Sequence, residues 1–540
     1  MSTITSAYRT NNVQLFFDDF SMHSANTSNE YYFFLSTIDS SAYGNTEHDK
    51  NTFLEKTLFG KKVTTDHIFY LIKNNRWQSN AVYDQYDDTV NLSLKNNFFM
   101  VVYPDDVGNN TSDYRVYKCL FNNYGSVSTT APSYDPYVPN QIYNSDDGYK
   151  WKLMYSISET EFNKYSVRGY IPVIESANTV LTTSETTSNI DTILVENNTI
   201  NFGYEKVNGS IISTQPDSEF IIINSTGLKE TSNYYIGQNF YVTNTSNISQ
   251  LYEITSYSYN TSTKLGTVTI KNKDNFINDT CTYSIFPRIL IEGDGAGAVA
   301  IPGFSSTQPN NINRIDIIDH GQGYTTAIAS VVNPLYFEDV GNVNNKKAIL
   351  RPILSPKGGH ASNPKKELLS NHALLYVGIT SSDNNTIPTS NTYSAMGLVK
   401  NPVFTSNTSP EVFDNRIKLN LNTNPLTVGE KVTQIDTNSI VTFSGTVHSV
   451  ENNDVYLAEY MGPYKNDGGY TDISLNEDYK IVTSQNQQLT IIKNDINTGD
   501  PLTVVSPYYQ KSGEVFYMAS FSQISRSPSS YEEYKIILQF

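Results

Sequence analysis

From residue 192 to residue 270 the chain lays down a series of short β-prone runs, TILVE, EFIIIN, NFYVTN, LYEITSY and GTVTI, separated by Asn, Ser, Thr and Gly and by no amphipathic helix. Runs this short can bury their apolar residues only by pairing with one another, which predicts an antiparallel sandwich or barrel. The texture returns after residue 400 in LTVGEKVTQ, IVTFSGTVHSV and NDVYLAEYMGPY, where it predicts a small barrel of about five or six strands. With 540 residues the chain exceeds what one core can organise, so about three or four domains are expected. The fold class is therefore mainly β with a few short helices, in several antiparallel sandwich-like or barrel-like domains.

Helical periodicity is scarce. In DKNTFLEKTLFGKK, Phe53, Leu54, Thr57 and Leu58 share a helical face, with Asp49 placed to cap its start and Gly60 to close its end. Ser158 and Glu161 form a capping-box pattern for a second short helix. VTTDHIFYLIK reads as a strand covered on both faces. FFMVVY and YRVYKCLF read as two strands joined by a polar turn. YKWKLMYSI alternates, with Trp151, Leu153, Tyr155 and Ile157 on a buried face and Lys150, Lys152, Met154 and Ser156 on a mostly wet one. A Ser/Pro linker precedes EEYKIILQF, an apolar strand expected to pair with the first domain.

The stretch RILIEGDGAGAVA matches the relaxed G-x-G-x-x-G/A fingerprint of a dinucleotide turn through Gly293, Gly295 and Ala298, with Asp316 where a ribose-binding acid would stand. Such a turn must open a helix whose N-terminus faces the pyrophosphate. Here Pro302 and Gly303 follow almost at once, and Asp316 lies in the alternating run INRIDIID. The small residues are better explained by a tight turn or bulge between strands, and no cofactor is expected.

Lys and Arg number 37 against 54 Asp and Glu, a formal charge of −17, without a basic block. Phosphate backbones and anionic lipid would repel such a chain, so neither nucleic acid nor membrane is an expected partner. No signal-peptide pattern opens the sequence, and folding in a cytoplasm is expected. Cys119 and Cys281 lack metal-site spacing and are expected to be buried as small apolar residues. The histidines, at 23, 48, 67, 320, 360, 372 and 448, show neither i, i+4 nor i, i+2 spacing, so no metal site is expected.

Catalytic motifs of the G-x-S-x-G, P-loop, H-E-x-x-H and EF-hand kinds are absent from the sequence. The densest acidic cluster, YDQYDD, spans Tyr83 to Asp88 just after Trp77. It could form a calcium loop or a sugar-binding patch, but an Asx-type turn with the tyrosines packed beneath it fits better, because calcium loops offer oxygens at alternate positions and a glycine. Two further readings of an acidic β-rich chain stay open: a polysaccharide depolymerase with carboxylates paired by the fold, and a module binding host-surface glycans through exposed Tyr.

RWQSNAVYDQYDD (Arg76 to Asp88), VYKCLFNNYG, DDGYKWKLMYSI and the tail SGEVFYMASFSQISRSPSSYEEYKIILQF resemble the dimeric baseplate wedge subunit of T4-type contractile-tailed bacteriophages. PKGGHASNP, Pro356 to Pro364, is similar to a segment of its marine-phage relatives. The resemblance implies a wedge core in residues 1–180, a β-rich insertion in 181–330, a middle core segment in 331–400, a small barrel-like domain in 401–500 and a return to the core in 501–540. It also implies a homodimer in the virion's tail baseplate, assembled in the host cytoplasm beside other wedge subunits, with no catalytic residue. Within the matched motifs Trp77, Tyr83, Asp84, Tyr86, Asp87, Asp88 and Trp151 are the candidates for domain core or subunit interface.

Overall fold

In a computed structural model the described residues are 5–21, 29–37, 46–95, 97–107, 112–133, 142–174, 188–196, 204, 206–214, 221–271, 281–305, 311–332, 348–383, 386–387, 392–406, 408–452, 454–462, 474–476, 478–492, 504–505, 507–525 and 531–540. The centre of the polar turn after FFMVVY (108–111), His23 and the Ser/Pro linker (526–530) lie outside them. The chain is mainly β and divides into two compact units. One comprises Met1–Ile72, Tyr165–Pro172 and Leu369–Phe540; the other comprises Lys73–Lys164 and Val173–Leu368. Residues 1–180 thus contribute to both.

The first unit is built on a five-stranded antiparallel sheet in the order Val412–Asp414, Thr57–Val63, Tyr31–Ser36, Thr392–Lys400, Glu514–Ser525. Its middle strand, YYFFLS, is buried at every position, which is why it is uninterruptedly apolar and aromatic up to its final Ser. Phe34 and Tyr32 pack with Phe53, Phe413 and Tyr508 on one face, while Phe33 on the other lies 4.9 Å, centroid to centroid, from Tyr534. Tyr534 belongs to a four-stranded sheet ordered Glu532–Gln539, His372–Ile379, Ile68–Lys73, Tyr170–Val173. EEYKIILQF therefore pairs with the strand His372–Ile379 of the middle segment, and the first-domain strand Ile68–Lys73 lies one position further.

The early helix runs over Glu47–Glu55, shorter than its periodicity predicts. Thr46 is its cap and Asp49 completes the capping box from the third helical position. Gly60 does not close the helix: it sits inside the strand Thr57–Val63, where an added Cβ would lie 2.2 Å from the Phe413 ring. Close ring approach, and not a helix end, explains this glycine.

Residues 417–489 form a separate curled sheet of six strands, Ile417–Asn420, Asp454–Met461, Val441–Glu451, Lys431–Ile435, Lys480–Thr483 and Gln488–Leu489. It is a half-barrel around Val432, Phe443, Leu457 and Ile481, and its two ends approach through a bridge between Leu421 and Ile491.

In the second unit a closed six-stranded barrel occupies residues 207–286 around Phe240, Ile254, Val268 and Tyr283. Four of the five opening runs build it, but TILVE does not. Its strand, Ile190–Val195, pairs with Leu350–Leu354 in a sheet with Ala327–Val332 and Arg288–Gly293. Another sheet orders Phe99–Val102, Tyr114–Phe121, Lys150–Ile157 and Ile142–Asn144. Here the expected wet face of YKWKLMYSI is corrected: Lys152 is 7% exposed and Met154 1%, so the strand is covered on both faces. The capping box of Ser158 and Glu161 forms, opening the helix Glu159–Tyr165.

Candidate functional site

The glycine-rich fingerprint opens no helix. The strand Arg288–Gly293 leads through the turn into the strand Val299–Phe304. Across the turn lies the second glycine run, HGQGY. Ala296 N donates to Gln322 O at 3.0 Å and Gln322 N returns the bond to Ala296 O at 3.0 Å. The carboxylate of Asp294 accepts from Thr325 N at 2.8 Å and Thr326 N at 2.9 Å; the Thr325 hydroxyl and these two amides hold it far below the usual carboxylate range. Asp316, in the strand Ile312–Asp319, pairs with Arg314 at 3.1 Å. An added Cβ would meet Thr326 O at 2.3 Å from Gly293 and the Tyr324 ring at 2.5 Å from Gly295. Packing, not a pyrophosphate, requires these glycines. Gly295→Ala is expected to lower stability by about 1–3 kcal/mol, measured by denaturant unfolding, and a nicotinamide dinucleotide added to the parent protein is expected not to shift its midpoint.

The acidic-aromatic candidates divide between two clusters. Tyr83, Trp151 and Tyr149 share one, with Trp77 packed against it. Tyr149 stacks on Trp151 at 5.1 Å and 11°, and Tyr83 meets Trp151 edge-on at 5.3 Å. Trp77 Nε1 donates to Ser128 Oγ at 3.2 Å. Tyr86 belongs to the second cluster, with Leu120, Phe121, Leu194 and Ile353. Asp87 Oδ1 accepts from Thr89 N at 3.0 Å and Thr89 Oγ1 at 2.7 Å, the expected Asx turn. Both of its oxygens also take Arg351, at 3.1 and 2.8 Å. Burial raises its pKa, but the Arg351 and Thr89 hydrogen bonds outweigh that and hold it below the usual range. Asp84 is half-buried, with its amide bonded to Asn97 O at 3.1 Å, and Asp88 is exposed.

A buried cluster that spacing did not reveal lies beside Tyr86. Lys118, wholly buried in the strand Tyr114–Phe121, donates to Glu367 Oε2 at 3.0 Å. Its ammonium sits 3.1 Å from His360 Nδ1 and 4.0 Å from the centroid of the Tyr86 ring. His360 Nδ1 is 3.0 Å from the same Glu367 oxygen, and its Nε2 is hydrogen-bonded to Asp191. The loop PKGGHASNP delivers these groups: Gly358 and Gly359 both take positive φ, and Asn363 caps the short helix Pro364–Glu367 by accepting from Lys366 N. Burial pulls the Lys118 pKa down against the opposing pull of Glu367. Burial raises that of Glu367, but the His360 bond and the Lys118 charge prevail and leave it below its ordinary value. With both imidazole nitrogens engaged, the arrangement fastens loop to strand and leaves no nitrogen for proton abstraction from a substrate. A single charge inside the apolar run VYKCLF was its sequence signal, because a buried ammonium needs a partner.

Among the described residues, no group of three or more His, Cys, Asp or Glu could hold a metal ion, and no helix is long and apolar enough to cross a membrane. Compared with protein-family models the chain matches none, and compared with curated proteins it again finds no match.

Proposed function

We propose that this chain is a non-enzymatic structural subunit of a contractile-tail baseplate wedge. In this reading it is a homodimer in the virion that joins neighbouring wedge subunits and takes part in the rearrangement that triggers sheath contraction. The observation that carries the reading is where the wedge-like segments lie. Arg76 to Asp88, Val116 to Gly125, Asp146 to Ile157 and Pro356 to Pro364 are scattered in sequence yet interlock in one unit. Tyr86 N bonds Cys119 O at 2.7 Å, Cys119 lies opposite Trp151, and Lys118 meets His360. Four of the five stretches behind the resemblance are thus mutually packed, which supports a shared core over chance similarity of composition, while the fifth, the tail from Ser512 to Phe540, belongs to the first unit. The barrel of 207–286 and the half-barrel of 417–489 have cores of their own, as additions to such a core would.

Sedimentation equilibrium of the purified chain is expected to give a dimer, and mixing with the other wedge proteins of its phage is expected to give a larger complex. A stable trimer that depolymerises capsular polysaccharide would overturn the proposal in favour of a spike enzyme.

A further inference from the structure

We propose that Lys150 is a covalent capture site for a small aldehyde, a role beyond wedge assembly and independent of it. The residue is half-buried at the start of the strand Lys150–Ile157 and stands in the walls of two cavities, of about 430 Å3 and about 710 Å3. Its amine belongs to the smaller one. Lys150 lies opposite Phe121 in the antiparallel pair, and its Nζ is 6.0 Å from the centroid of the Phe121 ring. The same nitrogen feels the charges of Asp316 and Arg314. Phe121, Asp316 and Arg314 line the smaller cavity and not the larger, so they place the end of the side chain there.

Nothing in that wall takes up the ammonium. Among the described residues Lys150 Nζ makes no hydrogen bond and no ion pair. The carboxylates around it are committed elsewhere or exposed: Asp316 pairs with Arg314 at 3.1 Å, Asp147 accepts from Thr129 N at 2.7 Å and Thr130 N at 3.1 Å, and Asp146 is exposed. An ammonium withdrawn from water without an acceptor is unfavourable, and a lysine relieves this by giving up its proton. Burial accordingly pulls the Lys150 pKa below its ordinary value; Asp316 opposes this and Arg314 adds to it. Desolvation and a neighbouring cation are the two conditions that make a lysine nucleophilic. Lys118 is also buried, but its ammonium is held by Glu367 at 3.0 Å.

A free amine in an aromatic-walled cavity suits a small carbonyl compound. Phe121 and Tyr124 supply surface for its apolar body, and the volume lies in the lower part of the ordinary range for ligand pockets, about 300–1,000 Å3. The electron pair of the amine forms a bond to the carbonyl carbon, the C=O pair passes to oxygen, and the proton shed by nitrogen follows it to give a carbinolamine. Loss of that hydroxyl as water, with a proton drawn from solvent, leaves a protonated imine, and nothing is oxidised or reduced.

The test treats the full chain with benzaldehyde and cyanoborohydride, which traps the imine as a secondary amine, and maps the adducts by mass spectrometry. Lys150 is expected to label several-fold faster than any other lysine, with a pH–rate profile displaced to lower pH. Benzyl alcohol, which occupies the cavity without reacting, is expected to slow labelling at Lys150 alone. Arg314→Gln removes the cation and frees Asp316 for Lys150, so labelling there is expected to slow several-fold with the other lysines unchanged. Labelling at Lys150 no faster than at exposed lysines, no protection by benzyl alcohol, or an unchanged rate in Arg314→Gln would each overturn the proposal. Protection by inorganic phosphate would do so as well, because it would assign the ammonium to an anion.

Discussion

Replacing Lys118 with methionine is expected to cost about 3–5 kcal/mol, as a lower denaturant midpoint with an unchanged slope. The loss comes less from the missing attraction than from what remains. Glu367 is 9% exposed, and one of its oxygens already lacks a partner. Without the ammonium, a carboxylate in this place keeps only His360. Replacing both ends, Lys118→Met with Glu367→Gln, is expected to cost clearly less than the sum of the single changes, because no uncompensated charge is left buried. Additive losses would mean that the two side chains do not share their charge. The double substitution also separates the ion pair from the hydrophobic packing of the Lys118 stem, which methionine preserves.

The second large effect is expected at Trp151. Trp151→Ala removes the largest wholly buried side chain of the unit and opens a void beside Tyr149 and Tyr83, at about 3–5 kcal/mol. Trp151→Phe serves as the contrast. The indole N–H has no hydrogen-bond partner among the described residues, so exchange for phenylalanine forfeits no bond and retains an aromatic face for Tyr149. It is expected to cost well under half as much. Equal losses in the two variants would show that Nε1 is bonded after all. Both variants should be read by tryptophan-independent far-UV circular dichroism, since Trp77 would otherwise be the sole remaining indole reporter.

The strands were legible because alternation and apolar runs are local properties, and the hairpin of FFMVVY with YRVYKCLF needed only adjacent residues. Pairing at long range was not. TILVE has the composition of its barrel neighbours, yet it joins a strand at Leu350–Leu354, and nothing in five residues specifies that choice. Lys152 in YKWKLMYSI reads as solvent-facing because lysine usually is, but the fold leaves it only 7% exposed. Of the four aromatic members of the candidate set, Tyr83, Tyr86 and Trp151 are buried and Trp77 is half-buried, and Asp87 is drawn in by Arg351, whereas Asp88 stays in solvent. The Lys118 cluster escaped the reading because its Glu367 lies 249 residues away, and histidine spacing is silent about partners brought together by the fold.

The five-stranded sheet of the first unit has a consequence for the order of events during synthesis. Its central strand, Tyr31–Ser36, emerges from the ribosome early, but its neighbour Thr392–Lys400 follows several hundred residues later, and Glu30 N meets Asn401 across 371 positions. The second unit, which ends at Leu368, is complete before that neighbour exists. Until then YYFFLS is an aromatic strand with one open edge, the kind of surface on which chains add to one another. Nascent chains held together on a polysome are thus most exposed to wrong partners through this strand, and the protection they need is a matter of elapsed translation time as much as of final stability.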